Sequence, residues 1–454
     1  MGSSPTLYTA LGNTATTAAL SSSDNHPVQY CKVAQLTVKN NPVKLLLKKI
    51  VKKLGVISTS IKNIIKKCLN ALVIWYQTQR YGVNSADDRG KTLLMHDLAA
   101  GRIDRAIIRA GQKDVNLSAR DDCGKTALMY AVEADELDFV KCLHEKGVHP
   151  DETDSYGENT LMLAAQNDNL DILVYMRNKG IGVDQKDLFG QTALMYAAEA
   201  GAQDCTIYLC EHDADLNATT ERGETTLMLA AQAGKLDSVK YLHEKGSDLN
   251  AADEYGKTPL MFAAEKGHPD CVTYLCEQGA DLNATDQYGR TPLMIAAENN
   301  ALDCLTYLHG RGADINATDH QYGRTPLIIA AENNALDCLT YLHGRGADIN
   351  ATDQYGRTAL MLAARWYNYV DCVRCLHEKG ADITATDKNG DTALMFAIGG
   401  YAADCITYLV EHGANIHVKN GEGKTALQHA KDLNNLDGVK ILEEFVMKTE
   451  NNAS

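Results

Sequence analysis

The chain has 454 residues, an apolar share of 45% and a formal net charge of −15. This apolar content can supply a buried core, and the acidic balance argues against duplex nucleic acid as a partner, because phosphate binding requires a basic surface. The longest apolar run, residues 71–76, is far shorter than the roughly 20 residues of a membrane-spanning helix. The polar stretch 2–25 does not resemble a secretory signal, so the 13 cysteines are expected to be free thiols in the cytoplasm.

The N-terminal part of the chain is basic, unlike the rest. Residues 1–80 contain eleven Lys and Arg and one acid, whereas the remaining 374 residues contain 33 basic and 58 acidic residues. We predict a polar, flexible N-terminus over 1–40 and a basic amphipathic helical segment over 41–83, because apolar residues such as Leu47 and Ile50 fall on one helical face. The lysines of the opposite face are Lys44, Lys48, Lys49, Lys52, Lys53, Lys62, Lys66 and Lys67.

Three interpretations of this basic segment stay open. It is expected to cap the apolar face of the elements that follow it, to contact an anionic membrane surface or a calmodulin-like partner, or to direct nuclear import. Gly2 fits the loose N-myristoylation pattern, and an acyl chain together with a polybasic helix would give stable anchoring. The same Met-Gly-Ser-Ser start is also typical of expression tags.

From residue 84 onward the sequence is repetitive. Glycines followed by a Thr-x-Leu-Met type segment recur at intervals of 33 or 34 residues. They are Gly90, Gly124, Gly157, Gly190, Gly223, Gly256, Gly289, Gly323, Gly356, Gly390 and Gly423. Residues 289–322 and 323–355 are nearly identical, which indicates a tandem duplication. One such unit cannot bury its own apolar faces, so the copies must stack.

Each repeat predicts two helices and a projecting loop. In one copy, Thr258 is the N-cap of a first helix with Pro259 at its first position, and Gly279 ends the second helix. The turn formers of 280–289 then predict a hairpin-like loop. We therefore predict an all-α solenoid of about eleven repeats over 84–445 and a short C-terminal tail over 446–454.

These repeats resemble the ankyrin repeat, which has a period of 33 and the pattern Thr-Pro-Leu-His-x-Ala. The family histidine hydrogen-bonds between repeats, and here its position is apolar, so the resemblance implies that apolar stacking replaces those bonds. The replacing residues are Met129, Met162, Met195, Met228, Met261, Met294, Ile328, Met361 and Met395. The recurring sequences Leu-Met-x-Ala-Ala-Glu and Asp-Cys-x-x-Tyr-Leu are similar to those in the repeats of the ankyrin-only proteins of diplomonad protists known as Protein 21.1.

Several strings that could indicate catalysis are explained by the repeat. Gly-Lys-Thr recurs in phase and lacks the earlier glycine of a P-loop. Five histidines share one exterior position of the second helix and never complete a His-Glu-x-x-His zinc motif. They are His144, His243, His309, His343 and His377. We therefore predict a protein that is not an enzyme and that holds no cofactor or metal.

Five cysteines also share one position in consecutive repeats. They are Cys271, Cys304, Cys338, Cys372 and Cys405. The spacing predicts a ladder along the stack, and the simplest interpretation is a small buried apolar side chain at each step. Cys372 and Cys375 form a lone Cys-x-x-Cys inside a predicted helix, without the strand-to-helix context of redox motifs.

The resemblance implies that partners bind in a concave groove lined by the loop tips and the first helices. Residues whose identity the repeat fold does not require are candidates for binding a partner. Tyrosine and arginine are frequent hot spots of protein interfaces. Near the duplicated units these candidates are Tyr288, Arg290, Tyr322, Arg324, Tyr355 and Arg357. The alternative is that the tyrosine of Asp-x-Tyr-Gly only shields its turn.

A sharper candidate is an altered turn between the two helices of one repeat. It consists of Arg365, Trp366, Tyr367, Asn368 and Tyr369, where both preceding repeats have Glu-Asn-Asn-Ala-Leu. It adds one residue and holds the only tryptophan of 84–445. An aromatic cluster at a turn predicts a partner contact, and local packing around the insertion is the alternative.

These features predict a non-enzymatic scaffold or adaptor, a monomeric cytoplasmic array that binds partner proteins whose identity the sequence does not reveal. The alternative function is a peripheral membrane tether, in which the basic N-terminus anchors the protein and the repeats recruit cargo. The tether would place the protein at a membrane. A scaffold with a cytoskeletal partner would be associated with the cytoskeleton.

Overall fold

A computed structural model describes the backbone of residues 59–453 and the side chains of residues 66–448. Within this range the secondary structure is helical apart from isolated β-bridges, and 23 helices follow one another. The described residues divide into two compact units, one of residues 59–134 and 138–148, the other of residues 135–137 and 149–453.

The first unit contains a long helix followed by two helix pairs. The helices are α1 (Thr59–Tyr81), α2 (Leu93–Ala99), α3 (Ile103–Ala110), α4 (Ala127–Glu133) and α5 (Leu137–Glu145). Helix α1 packs on α3, and α2 packs on both α3 and α4. The described part of the predicted basic segment is thus helical, with Ile74 buried against the unit and Trp75 exposed.

The second unit is a stack of nine helix pairs. The helices are α6 (Thr160–Gln166), α7 (Leu170–Asn178), α8 (Ala193–Ala200), α9 (Gln203–Glu211), α10 (Thr226–Gln232), α11 (Leu236–Glu244), α12 (Pro259–Lys266), α13 (Pro269–Glu277), α14 (Pro292–Glu298), α15 (Leu302–Gly310), α16 (Pro326–Glu332), α17 (Leu336–Gly344), α18 (Ala359–Ala364), α19 (Val370–Glu378), α20 (Ala393–Gly399), α21 (Ala403–Glu411), α22 (Ala426–Asp432) and α23 (Leu436–Ala453). Each first helix packs on its own second helix and on the first helices of the neighbouring repeats. Paired, stacked helices of this kind form an all-α solenoid.

Local chemistry sets the start of each first helix. The Thr258 side chain accepts a hydrogen bond from the Met261 N–H at 3.4 Å, and Pro259 occupies the first helical position. The methionine that replaces the family histidine is buried. In three repeats the sulfur at this position also lies within hydrogen-bonding distance of the cap N–H, at 3.4 Å from Thr92 to Met95, 3.5 Å from Asn159 to Met162 and 3.3 Å from Thr225 to Met228. In these repeats the thioether therefore both packs in the core and completes the helix cap.

The loops between repeats are short hairpins, which we call fingers. A single bridge closes several of them, for example Thr352 to Thr358. Backbone bonds also join neighbouring finger tips in the second unit, such as the N–H of Gln287 to the carbonyl of Tyr255 at 2.8 Å and the N–H of Lys388 to that of Tyr355 at 2.9 Å. These bonds fix the spacing of the tips, so side chains on them form a regular row.

The last helix passes through the boundary predicted from the sequence. Helix α23 extends to Ala453, and no break occurs at residue 446, where a tail is predicted to begin. The stretch contains no proline or glycine after Gly438, so nothing in its chemistry ends the helix earlier. Leu442 is buried on its inner side, whereas Leu436 is exposed.

Candidate partner-binding surface

The cysteine ladder lies in the interior of the second unit. All five predicted members are buried, which confirms the prediction, and Cys205 is buried at the same position two repeats before Cys271, with the buried Ser238 between them. The thiols of Cys338 and Cys372 lie 3.9 Å from backbone carbonyls of the preceding repeat. Burial raises the pKa of both thiols to about 12. They are neutral near pH 7 and unsuited to nucleophilic or redox chemistry.

The histidines of the second helices tie neighbouring repeats together. The Nδ1 atom of His243 lies 2.9 Å from the Tyr274 hydroxyl of the next repeat, and His377 and Tyr408 are similarly paired at 3.1 Å. Nδ1 of His343 lacks such a partner, because Cys375 stands where the next tyrosine would be. Across residues 66–448, no group of three or more His, Cys, Asp or Glu side chains is arranged to hold a metal ion.

Aromatic side chains form an exposed row on the finger tips of the second unit. Tyr156, Tyr255, Tyr288 and Tyr355 belong to it, whereas Tyr322 at the equivalent position is half-buried. Sequence reasoning did not single out its most exposed apolar pair, Leu188 at 69% and Phe189 at 57%. The signal was present, since Leu-Phe occupies the position of x-Tyr in five other fingers. A shallow cavity of about 290 Å³ lies between this pair and the following finger.

The arginines beside these tyrosines stabilise their own repeats. Arg290 donates to Asp286 at 2.8 Å and to Glu298 at 2.6 Å, and its guanidinium lies 5.3 Å from the centre of the Tyr288 ring. Arg324 makes the equivalent contacts with Asp319, Glu332 and Tyr322. Each of these guanidinium groups is therefore held against two carboxylates and covers one face of an aromatic ring. The tyrosine rings remain partly exposed.

The altered turn presents two of its aromatic rings to solvent. Trp366 is 46% exposed and Tyr367 is 69% exposed, whereas Tyr369 is half-buried, with its ring 6.2 Å from that of Trp366. The Trp366 carbonyl accepts a hydrogen bond from the Cys405 thiol at 3.6 Å. The turn is thus anchored by its backbone and by Tyr369, and the Trp366 and Tyr367 side chains are exposed.

Two further turns, in the two repeats that follow, also expose apolar side chains. The Tyr401 hydroxyl donates to the Leu433 carbonyl at 2.8 Å while its ring stays exposed, and Leu433 and Leu436 are exposed as well. We call Trp366, Tyr367, Tyr401, Leu433 and Leu436 the turn patch. The equivalent turns before α15 and α17 have the polar pair Asn-Asn, so the patch is confined to the last three repeats.

The basic residues of the first unit are partly used for packing. Lys66 forms an ion pair with Asp104 at 2.8 Å, and Lys67 is exposed. Gln77 on α1 accepts hydrogen bonds from Arg105 and from Arg109 on α3. Gly2 and the lysines from Lys44 to Lys53 lie outside the described residues, and so does the side chain of Lys62. The described part of the basic segment is thus bonded to the first helix pair.

The fold and the helix-finger pattern define a helical repeat protein. A family model described as Ankyrin repeats (3 copies) matches the chain in overlapping stretches, which are 59–154, 98–187, 135–220, 161–253, 227–319, 318–387 and 367–450. The chain therefore belongs to the ankyrin-repeat family. A comparison with curated proteins finds no match. None of the helices in the described range is both long enough and apolar enough to cross a bilayer.

Proposed function

We propose that this protein is a non-enzymatic scaffold or adaptor that holds partner proteins on its repeat array in the cytoplasm. Ankyrin repeats generally bind proteins, and a chain made of them is typically not an enzyme. The observation that carries the proposal is the turn at 365–369, where exposed aromatic rings replace the Asn-Asn of the preceding repeats. The finger-tip row supplies a second contact surface along the groove.

The wording of the repeats supports a narrower relationship. The strings Leu-Met-x-Ala-Ala-Glu and Asp-Cys-x-x-Tyr-Leu recur along the array. On this ground we propose a kinship with the ankyrin-only proteins of diplomonad protists known as Protein 21.1. Such a kinship would fit a chain in which the repeats are the binding module.

Replacing Trp366 by alanine should weaken partner binding by at least about tenfold, because a central exposed aromatic side chain supplies a large part of an interface's energy. The measurement is quantitative proximity labelling with the full chain, followed by affinity measurements on the recovered proteins. Trp75→Ala is the matched control, since Trp75 is the other tryptophan and is also exposed. Equal affinities of wild type and Trp366→Ala would contradict a role for the turn in binding.

The membrane tether is the alternative function, supported by the charge difference between residues 1–80 and the rest of the chain. The packing of α1 on α3 and the Lys66–Asp104 ion pair instead favour a cap for the described part. We therefore expect the full chain not to float with phosphatidylserine vesicles. Flotation that is lost when Lys48, Lys49, Lys52 and Lys53 are changed to glutamate, and is absent with phosphatidylcholine alone, would establish the tether.

A further inference from the structure

An ion pair recurs at equivalent positions of several repeats in the second unit. The residue after the finger glycine is basic in several repeats, and the residue eight positions later, at the end of the first helix, is acidic. Their side chains meet at 2.5 to 2.8 Å. The pairs are Lys257 with Glu265, Arg290 with Glu298, Arg324 with Glu332, and Lys424 with Asp432. Each pair neutralises its own charges within one repeat.

One repeat breaks this rule by charge reversal. Arg357 follows its finger glycine as usual, but the acidic position is occupied by Arg365. Helix α16 ends at Glu332, its seventh residue, and Arg365 is the seventh residue counted from the start of α18. The backbone of Arg365 is still helical, with φ −64° and ψ −24°. The inserted residue therefore follows Arg365 in the chain. The Arg365 side chain leaves the helix at the position that glutamate occupies in the preceding repeats.

The reversal leaves positive charge without an internal partner. Arg357 keeps its contacts with Asp353, at 2.6 Å, and with the ring of Tyr355. Among residues 66–448, no carboxylate forms an ion pair with Arg365, and Asp353 is the only one paired with Arg357. Within this range Arg357 thus has one carboxylate partner and Arg365 has none, although the net charge of the repeats is strongly negative. Arg365 is exposed and adjoins Trp366, the first residue of the turn patch.

We propose that Arg357 and Arg365 form a receptor for a carboxylate side chain of a partner protein, with the apolar neighbour of that side chain placed against Trp366. This inference rests on the proposed scaffold function and names the chemistry of its partner. Arginine binds carboxylates through paired hydrogen bonds, and it does so best where no internal acid competes. The acidic surroundings repel an extended polyanion, whereas a single acidic side chain meets only the local positive field.

The test uses the full chain to select binders from a phage-displayed library of random dodecapeptides. We expect the enriched peptides to carry Asp or Glu next to an aromatic or aliphatic residue. A synthetic enriched peptide should bind Arg365→Glu at least about tenfold more weakly than wild type. The fold should tolerate this variant, since glutamate is native at the same position in two preceding repeats and would restore the ion pair with Arg357. An unchanged or higher melting temperature would verify that point.

Arg374→Glu is the matched control. It changes the same charge in the same repeat on the second helix, where Arg374 is exposed, and it should leave peptide affinity unchanged. Enriched peptides without acidic residues, or equal affinity for Arg365→Glu and wild type, would overturn the carboxylate receptor while leaving the scaffold function in place. If the wild-type chain enriches no peptide, the inference and the proposed binding function both fail.

Discussion

Replacing Asp97 by alanine should destabilise the first unit by about 3–5 kcal/mol, because it leaves buried cations without a partner. The Asp97 side chain is 2% exposed, and its Oδ2 lies 2.5 Å from Nε of Arg109, which is equally buried. The other oxygen accepts from Arg102 at 2.6 Å. A single carboxylate therefore compensates several guanidinium groups, and alanine removes all of that compensation at once.

The measurement is urea unfolding of the full chain followed by hydrogen exchange of the amides in α2 and α3, which separates this unit from the rest. Asp104→Ala is the control, because Asp104 belongs to an exposed ion pair with Lys66. Exposed pairs contribute at most about 1 kcal/mol, so the control should have a small effect. Similar losses of protection in the two variants would show that Asp97 does not act as the buried counter-ion.

Replacing Gly190 by valine should cost about 4 kcal/mol or more and should unfold the finger that presents Leu188 and Phe189. Gly190 has φ +81°, a conformation that β-branched residues rarely adopt. An added Cβ would also lie 2.7 Å from the backbone nitrogen of Glu221 and 2.9 Å from the carbonyl carbon of Thr220. Since backbone atoms of the next finger cannot move aside singly, the ladder between the fingers must open.

Gly246→Val separates the two causes. Gly246 also has a positive φ, +99°, but a Cβ added there would meet no atom within 4 Å beyond its own chain neighbours. It should therefore show only the conformational strain, about 1–3 kcal/mol. Hydrogen exchange of the finger amides and the urea midpoint compare the two variants. If Gly246→Val is as damaging as Gly190→Val, the close approach of neighbouring fingers contributes nothing to stability.

The repeat architecture could be predicted from the sequence because its causes are local. The N-cap threonine, the proline after it and the glycine that ends the second helix act within a few residues of one another. A strict period then requires stacking, and apolar positions that recur in phase, such as Cys338, are buried in the stack. The altered turn at 365–369 could also be predicted, because its sequence differs from that of the two preceding, nearly identical repeats.

Contacts between repeats could not be predicted in this way. The pairing of His243 with Tyr274 and the exposure of Phe189 depend on how side chains some thirty residues apart meet after stacking. The roles of the finger arginines differ for the same reason. Arg290 is neutralised by two acids, whereas Arg357 faces a position where Arg365 replaces the second acid. The helices, their period and their buried faces follow from local chemistry and are therefore readable from the sequence. Which charged and aromatic side chains stay exposed depends on the neighbours that stacking supplies, so it required the three-dimensional structure.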